Sequence, residues 1–212
     1  MRTNTLLHIV IGDKEVKVIF VIVVALFTVS CGKKVTHSEH PQFIFAKLIS
    51  NETSSVLNDV ELYLSSKNDY KVKYKDNLEY HGYEEPFDDE FDFTFVIVES
   101  LKANGLAIEV DWREDPQFVL NSLNNISNNL LSSCDKYEEL ESDFVKTDFN
   151  ITHYLKLKEP ESLLLTCTKS LGLEVIGIDK GTDSYILALV NDKKLPKIHQ
   201  YSQQSKVKLN PW

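Results

Sequence analysis

GLEVIGIDKGTDSYILALV, residues 172 to 190, decides the fold. Two β-rich runs, LEVIGID and YILALV, flank KGTDS, a five-residue turn containing glycine, and that layout predicts a β-hairpin. Immediately upstream, residues 160 to 171 carry Pro160 at the start, Glu161 in the first turn and Lys169 near the end, with Gly172 just past it. Those are helix start and stop signals, so a helix feeds the hairpin.

The same plan occurs earlier in the chain. LAIEVDW, residues 106 to 112, has strand character and follows a helical pattern closed by Gly105. ESLKANGLAIEVD and CTKSLGLEVIGID thus share the order helix, glycine, leucine, strand, aspartate, a recurring αβ arrangement too short to establish duplication. FTFVIV, residues 93 to 98, fits helix or strand by pattern, and ESLKANG continues it as helix; NITHYLKLK, residues 150 to 158, is ambiguous in the same way. Thr53 to Ser66 aligns Val56, Leu57, Val60 and Leu64 on one helical stripe. Gln117 to Leu131 does so with Val119, Leu123, Ile126 and Leu130. Asn121, Asn124, Asn125, Asn128 and Asn129 fall mainly off that stripe and read as a solvated face, and SQQSKVKLNPW at the C-terminus reads as a polar tail. The balance is an α+β domain, several helices on one face of a small sheet of three or four strands.

GLAIEVDWREDP, residues 105 to 116, and the hairpin at 172 to 190 together resemble an uncharacterised bacterial family of domains of unknown function. That family carries a DW-[KR]-[ED]-[DE]-P element and a later D-x-G-x-D-[ST]-Y hairpin. The resemblance covers roughly residues 93 to 192. It implies the α+β fold and no activity.

At the other end, VIFVIVVALFTV, residues 18 to 29, is uncharged and preceded by Lys14 and Lys17. This is the layout of a signal peptide, and the run is shorter than the ~20 apolar residues a spanning helix needs. Phe27, Thr28, Val29 and Ser30 before Cys31 resemble a bacterial lipobox, in which a peptidase cuts before a cysteine whose thiol receives a diacylglyceryl group. Thr28 stands where leucine is usual, and Asp13 and Glu15 lie in the basic region. The other reading is an apolar helix of a soluble domain that ends in Cys-Gly. Under the lipobox reading, residues 1 to 30 are the signal peptide and 31 to 41 are lipidated Cys31 with a polar tether. Residues 42 to 212 are then one acidic domain. A doubly or triply acylated cysteine is a durable anchor in membrane lipid. Gly32 after the cysteine resembles lipoproteins exported to the outer membrane, which places the protein in the cell envelope.

Removing residues 1 to 30 takes away Arg2, Lys14, Lys17, Asp13 and Glu15, leaving 20 basic against 30 acidic side chains, a net of −10. A domain of that charge lacks the basic face nucleic acid requires. Cys134 and Cys167 form an even pair, which in an oxidising envelope invites a disulfide. Cys167 within LLLTCTKSLG also suits a free, buried small residue. Neither cysteine fits a metal site, since there is no CxxC and no HExxH. No cofactor motif is present. GxSxG is absent too, and His37, His40, His81, His153 and His199 are scattered, reading as surface or tether residues.

Two acidic groups remain as candidate sites. Asp111 and Asp179 close their strands, with Glu114, Asp115 and Asp183 in the adjoining turns. If those strands neighbour each other, the carboxylates could bind a divalent metal or serve acid/base work, which gives a metal-dependent hydrolase as the alternative function. The bland reading is turn chemistry, with Asp115 capping a helix begun by Pro116. The second group is EEPFDDEFDF, residues 84 to 93. Glu84, Glu85, Asp88, Asp89 and Glu90 would steer a basic partner, with Phe87 and Phe91 as anchors. Alternatively the acids favour the next helix N-terminus and the phenylalanines enter the core. The expectation is a membrane-anchored, non-enzymatic module binding a protein or peptide, in sharper form an immunity or inhibitor lipoprotein facing a basic toxin or enzyme.

Overall fold

β2 (Leu173–Ile178) and β3 (Tyr185–Asn191) form the antiparallel hairpin in a computed structural model that describes residues 37–83, 91–111, 113–146 and 162–210. Their register runs from Leu173 opposite Asn191 to Ile178 opposite Ile186. β1 (Ala107–Val110) pairs with the free side of β3, and β4 (Leu209–Asn210) with the free side of β2, so the sheet order is β1-β3-β2-β4, antiparallel throughout. All described residues fall in one unit of the chain, Thr36–Trp212.

Nine α-helices accompany the sheet among the described residues. They are α1 (Pro41–Ile49), α2 (Ser54–Ser65), α3 (Lys67–Lys73), α4 (Lys75–Tyr80), α5 (Phe93–Ala103), α6 (Pro116–Ile126), α7 (Tyr137–Lys146), α8 (Leu163–Ser170) and α9 (Leu195–Ser205). The fold is α+β, but the helices cover both faces of the sheet and not one. Ala107, Ile176, Ile178, Ile186, Ala188 and Val190 point into a core completed by α1, α2, α5 and α9. Val110, Val175 and Leu187, with Tyr185 and Leu189, point the opposite way into a second core built with α6, α7 and α8. The cause is in the strands. LEVIGI and YILALV are apolar at both parities, whereas a strand with one wet face alternates with polar residues.

FTFVIV is helical, within α5. Asp92 starts it, its Oδ1 accepting the Phe95 N–H at 3.1 Å. At the other end Gly105 takes a left-handed φ of 65°, while the Gly105 and Leu106 amides donate to Lys102 O and Leu101 O. This double-bonded closure requires a left-handed residue, which is why glycine stands between helix and strand. Gly172 closes α8 with a φ of 68°. Ser162 caps the start of α8 by accepting the Leu165 amide; Pro160, Glu161 and NITHYLKLK lie outside the described residues.

Three expectations need adjustment. α6 stops at Ile126 because Asn128 and Asn129 adopt left-handed φ values of 55° and 63°, a region asparagine tolerates. There Asn124 accepts the Ser132 amide, so part of the asparagine face builds the turn into a 3-10 segment, Leu131–Ser133. The C-terminal residues are not a tail: α9 continues to Ser205, Val207 is buried and Leu209–Asn210 add the edge strand. The end of the tether segment is ordered too. His37–Glu39 form a 3-10 turn, and His37 Nε2 lies 3.2 Å from Ser65 Oγ.

In the second layer a disulfide joins Cys134, just past the 3-10 segment, to Cys167 on α8, with Cα atoms 5.4 Å apart. It ties the corner between α6 and α7 to the helix that leads into β2.

Candidate functional site

The five carboxylates at the strand ends do not converge. Both strands run antiparallel to β3, so Asp111 and Asp179 lie at the same end of the sheet, but with β3 between them. Two strand spacings put them about 10 Å apart. Each instead serves its own turn. Asp111 Oδ1 accepts the Arg113 amide at 2.8 Å, Asp179 Oδ1 accepts the Gly181 amide at 2.8 Å, and Asp115 caps α6 by accepting the Phe118 amide at 2.9 Å. Asp111 and Glu114 flank a shallow open depression with Arg113, and Asp183 is exposed on the hairpin loop. Among the described residues no group of three or more His, Cys, Asp or Glu side chains could hold a metal ion.

Of the acidic run, residues 84 to 90 lie outside the described residues. Phe91, a candidate partner anchor, is fully buried and packs against Tyr63, Tyr70, Tyr83 and Phe95. Its ring belongs to the core, because nothing of it is left at the surface for a partner.

The structure brings together charges the sequence reading did not single out. A cleft of about 220 Å³ is lined by His81, Tyr83, Asp92, Thr94, Phe95, Glu109, Lys180 and Thr182. Beneath it Glu99, its side chain only 10% exposed, meets three cationic or ionisable groups: Lys180 Nζ at 3.0 Å, Lys102 Nζ at 3.2 Å and His81 Nε2 at 3.2 Å. Lys102 also donates to Glu109, which accepts the Ser184 hydroxyl at 2.6 Å. Local structure dictates the meeting. Glu99 and Lys102 stand one turn apart on α5, Glu109 projects from β1 toward the same layer, and Lys180 and Ser184 bracket the hairpin loop. Lys180 also lies over the Phe95 ring, 5.6 Å from its centroid.

Electrostatics shift three members of this network. Burial acts to raise the Glu99 pKa, but the hydrogen bond and charge of Lys180, with Lys102 and His81, outweigh it and hold the carboxyl below its ordinary value. Glu109 is likewise lowered, burial being outweighed by its hydrogen bonds from Lys102 and Ser184. Lys102 is raised, since the Glu109 hydrogen bond and the Glu99 charge outweigh its burial. General acid/base catalysis needs pKa values brought toward neutrality. These three move away from it, so Glu99, Glu109 and Lys102 are held in their ionised forms.

A second buried carboxylate sits on the same layer. Asp59 accepts from Lys73 Nζ at 3.0 Å, from the Tyr74 hydroxyl and from Ser100 Oγ at 2.7 Å, linking α2, α3 and α5. The sequence held a signal for the first network: Glu99 and Lys102 are the charges of an otherwise apolar helix, FTFVIVESLKA. Lys180 and His81 lie in loops, with no local pattern that assigns them to Glu99.

No curated protein and no solved structure matches this chain. A family model described as a domain of unknown function, DUF6630, matches residues 44–212. That span takes in every strand and all but the first turn of α1, and the chain belongs to the DUF6630 family.

Proposed function

We propose that this chain is a lipid-anchored protein of the cell envelope whose domain is a non-enzymatic binding module for a basic protein or peptide. The observation that carries the binding part is what flanks the acidic run: Tyr83 and Phe91, the residues on either side of 84 to 90, pack ring to ring with centroids 6.0 Å apart, and Tyr83 lines the cleft. The sequence between them holds five carboxylates. Concentrated negative charge steers a cationic partner and speeds its encounter. The ionised Glu99 network and the turn-bound aspartates favour a module over an enzyme.

The envelope part rests on the Cys31 lipobox, and the Cys134–Cys167 bond supports it because such bonds persist in oxidising compartments. No helix among the described residues is long and apolar enough to cross a membrane.

Two measurements test the reading. Intact mass of the membrane-extracted protein is expected to show an N-terminus at Cys31 carrying acyl mass that is lost in Cys31→Ala; an unprocessed chain overturns the anchor. Binding to a cationic probe protein, lysozyme, is expected to weaken about tenfold when Glu84, Glu85, Asp88, Asp89 and Glu90 become amides, and to weaken with salt in the unmodified protein. Equal binding by both proteins overturns the role of the run.

A further inference from the structure

We infer that the α3–α4 surface is the membrane-facing side of the domain, seated on anionic lipid headgroups; this rests on the lipid anchor proposed above. The first observation is where the chain enters the fold. Five residues lie between Cys31 and His37, and the six extended peptide steps joining them span at most about 20 Å. A lipid on Cys31 therefore holds the domain close to the bilayer at His37, and His37 Nε2 touches Ser65 Oγ, at the last residue of α2. α3 begins two residues later.

The second observation is what that surface presents. Lys67, Lys71, Lys73 and Lys75 fall within nine residues that contain one acid, Asp69, in a chain whose net charge is −9. Asp76 and Glu79 follow, so the whole stretch from 67 to 80 stays positive by one charge. Each lysine already has a neighbour. Lys67 lies over Tyr63 and Lys71 over Phe91, Lys73 pairs with Asp59, and Lys75 pairs with Glu79 at 3.7 Å. Their stems are thereby oriented, and the stretch as a whole keeps one net positive charge for a longer-range field.

The third observation is apolar. Val72 is 79% exposed and Tyr80 86% exposed, the two most exposed large hydrophobic side chains among the described residues. A branched aliphatic set between lysines, with an aromatic on the next helix, matches the chemistry of the interfacial zone, where rings and methyl groups enter the headgroup layer and ammonium groups meet lipid phosphate. An acidic domain is otherwise repelled by an anionic surface. Seating on α3–α4 sets these four lysines against that surface.

The test uses the full, acylated protein carrying either Val72→Cys or Phe118→Cys, each labelled with an environment-sensitive fluorophore. Phe118 is a half-exposed residue of α6, on the other layer. The proteins are reconstituted into vesicles of phosphatidylcholine alone or with phosphatidylglycerol. The expected result is a blue shift and quenching by a lipid-phase quencher at position 72, stronger with phosphatidylglycerol, and neither at 118. In the unacylated Cys31→Ala protein, Lys67→Gln and Lys75→Gln are each expected to weaken partitioning to anionic vesicles by up to about fivefold, the equivalent of ~1 kcal/mol per lysine near such a surface. Flotation and acyl mass without protection at 72, or with equal protection at 118, overturn the membrane face alone. Protection at 72 before vesicles are added assigns the surface to a second copy and also overturns it. Absence of acyl mass and flotation removes the anchor reading, and the membrane face with it.

Discussion

Glu99 is one-tenth exposed beneath the cleft and touches three basic side chains, one of which, Lys180, is 11% exposed. Removing its charge takes away the carboxylate that pairs with buried Lys180, while Lys102 keeps Glu109, and the loss exceeds the net value of the Lys180 pair itself. Glu99→Gln keeps the shape and is expected to lower unfolding free energy by about 2–4 kcal/mol, read as a reduced urea midpoint. The pH dependence has a fixed sign. Glu99 and Glu109 have folded pKa values below the ordinary 4.5, so their stabilisation is complete above that value and is lost as pH falls through the folded values. Lys102 is raised, so its contribution holds below 10.5 and is lost as pH rises through its folded value. Glu99→Gln should therefore flatten the acid limb of the stability curve; an unchanged limb would show that Glu99 does not titrate with folding. His81 shows where reading the sequence stopped. A histidine in a loop looks like a surface residue until α5 places a carboxylate 3.2 Å away.

At the scale of elements, local signals were strong wherever a capping residue and a hydrophobic period agreed. α6 follows from such agreement, α2 from its hydrophobic period alone and the hairpin from its glycine-containing turn, and Asp115 was legible as a cap because Pro116 occupies the first helical position. The C-terminal residues misled because only Val207, Leu209 and the final Pro-Trp interrupt the polar run. Yet KVKL alternates with period two, and that alternation was the strand signal, with Val207 buried and Leu209 packed at the core's edge. A chain ending at Ser205 loses Val207 burial, worth about 2 kcal/mol, together with the bonds of β4 to β2 and of the Asp179 amide to Lys208 O. We expect a stability loss of about 2–4 kcal/mol. Thermal denaturation of the truncated protein checks this, and an unchanged midpoint would return the segment to the status of a tail.

For the whole molecule, the fold class was legible and the layering was not. Periodicity tells which face of a helix is apolar. It does not tell on which side of the sheet that helix lands, and β3, central and apolar at both parities, is the element that forces a layer on each side. The two layers are held differently. The first has the Glu99 and Asp59 networks and a broad aromatic cluster, whereas the second, built on α6, α7 and α8, has the Cys134–Cys167 bond. That bond closes a loop of sequence separation 33, which by the chain-entropy account restricts the unfolded state by about 3–4 kcal/mol. Cys134→Ala/Cys167→Ala, or the unmodified protein under reductant, should lose about that much, and the two should agree. Because the bond spans only the second layer, hydrogen exchange should accelerate first in α6, α7 and α8 while α5 and β3 keep their protection. A uniform loss would mean that the layers unfold as one unit through β3, and no loss at all would mean that the two thiols are not bridged in solution.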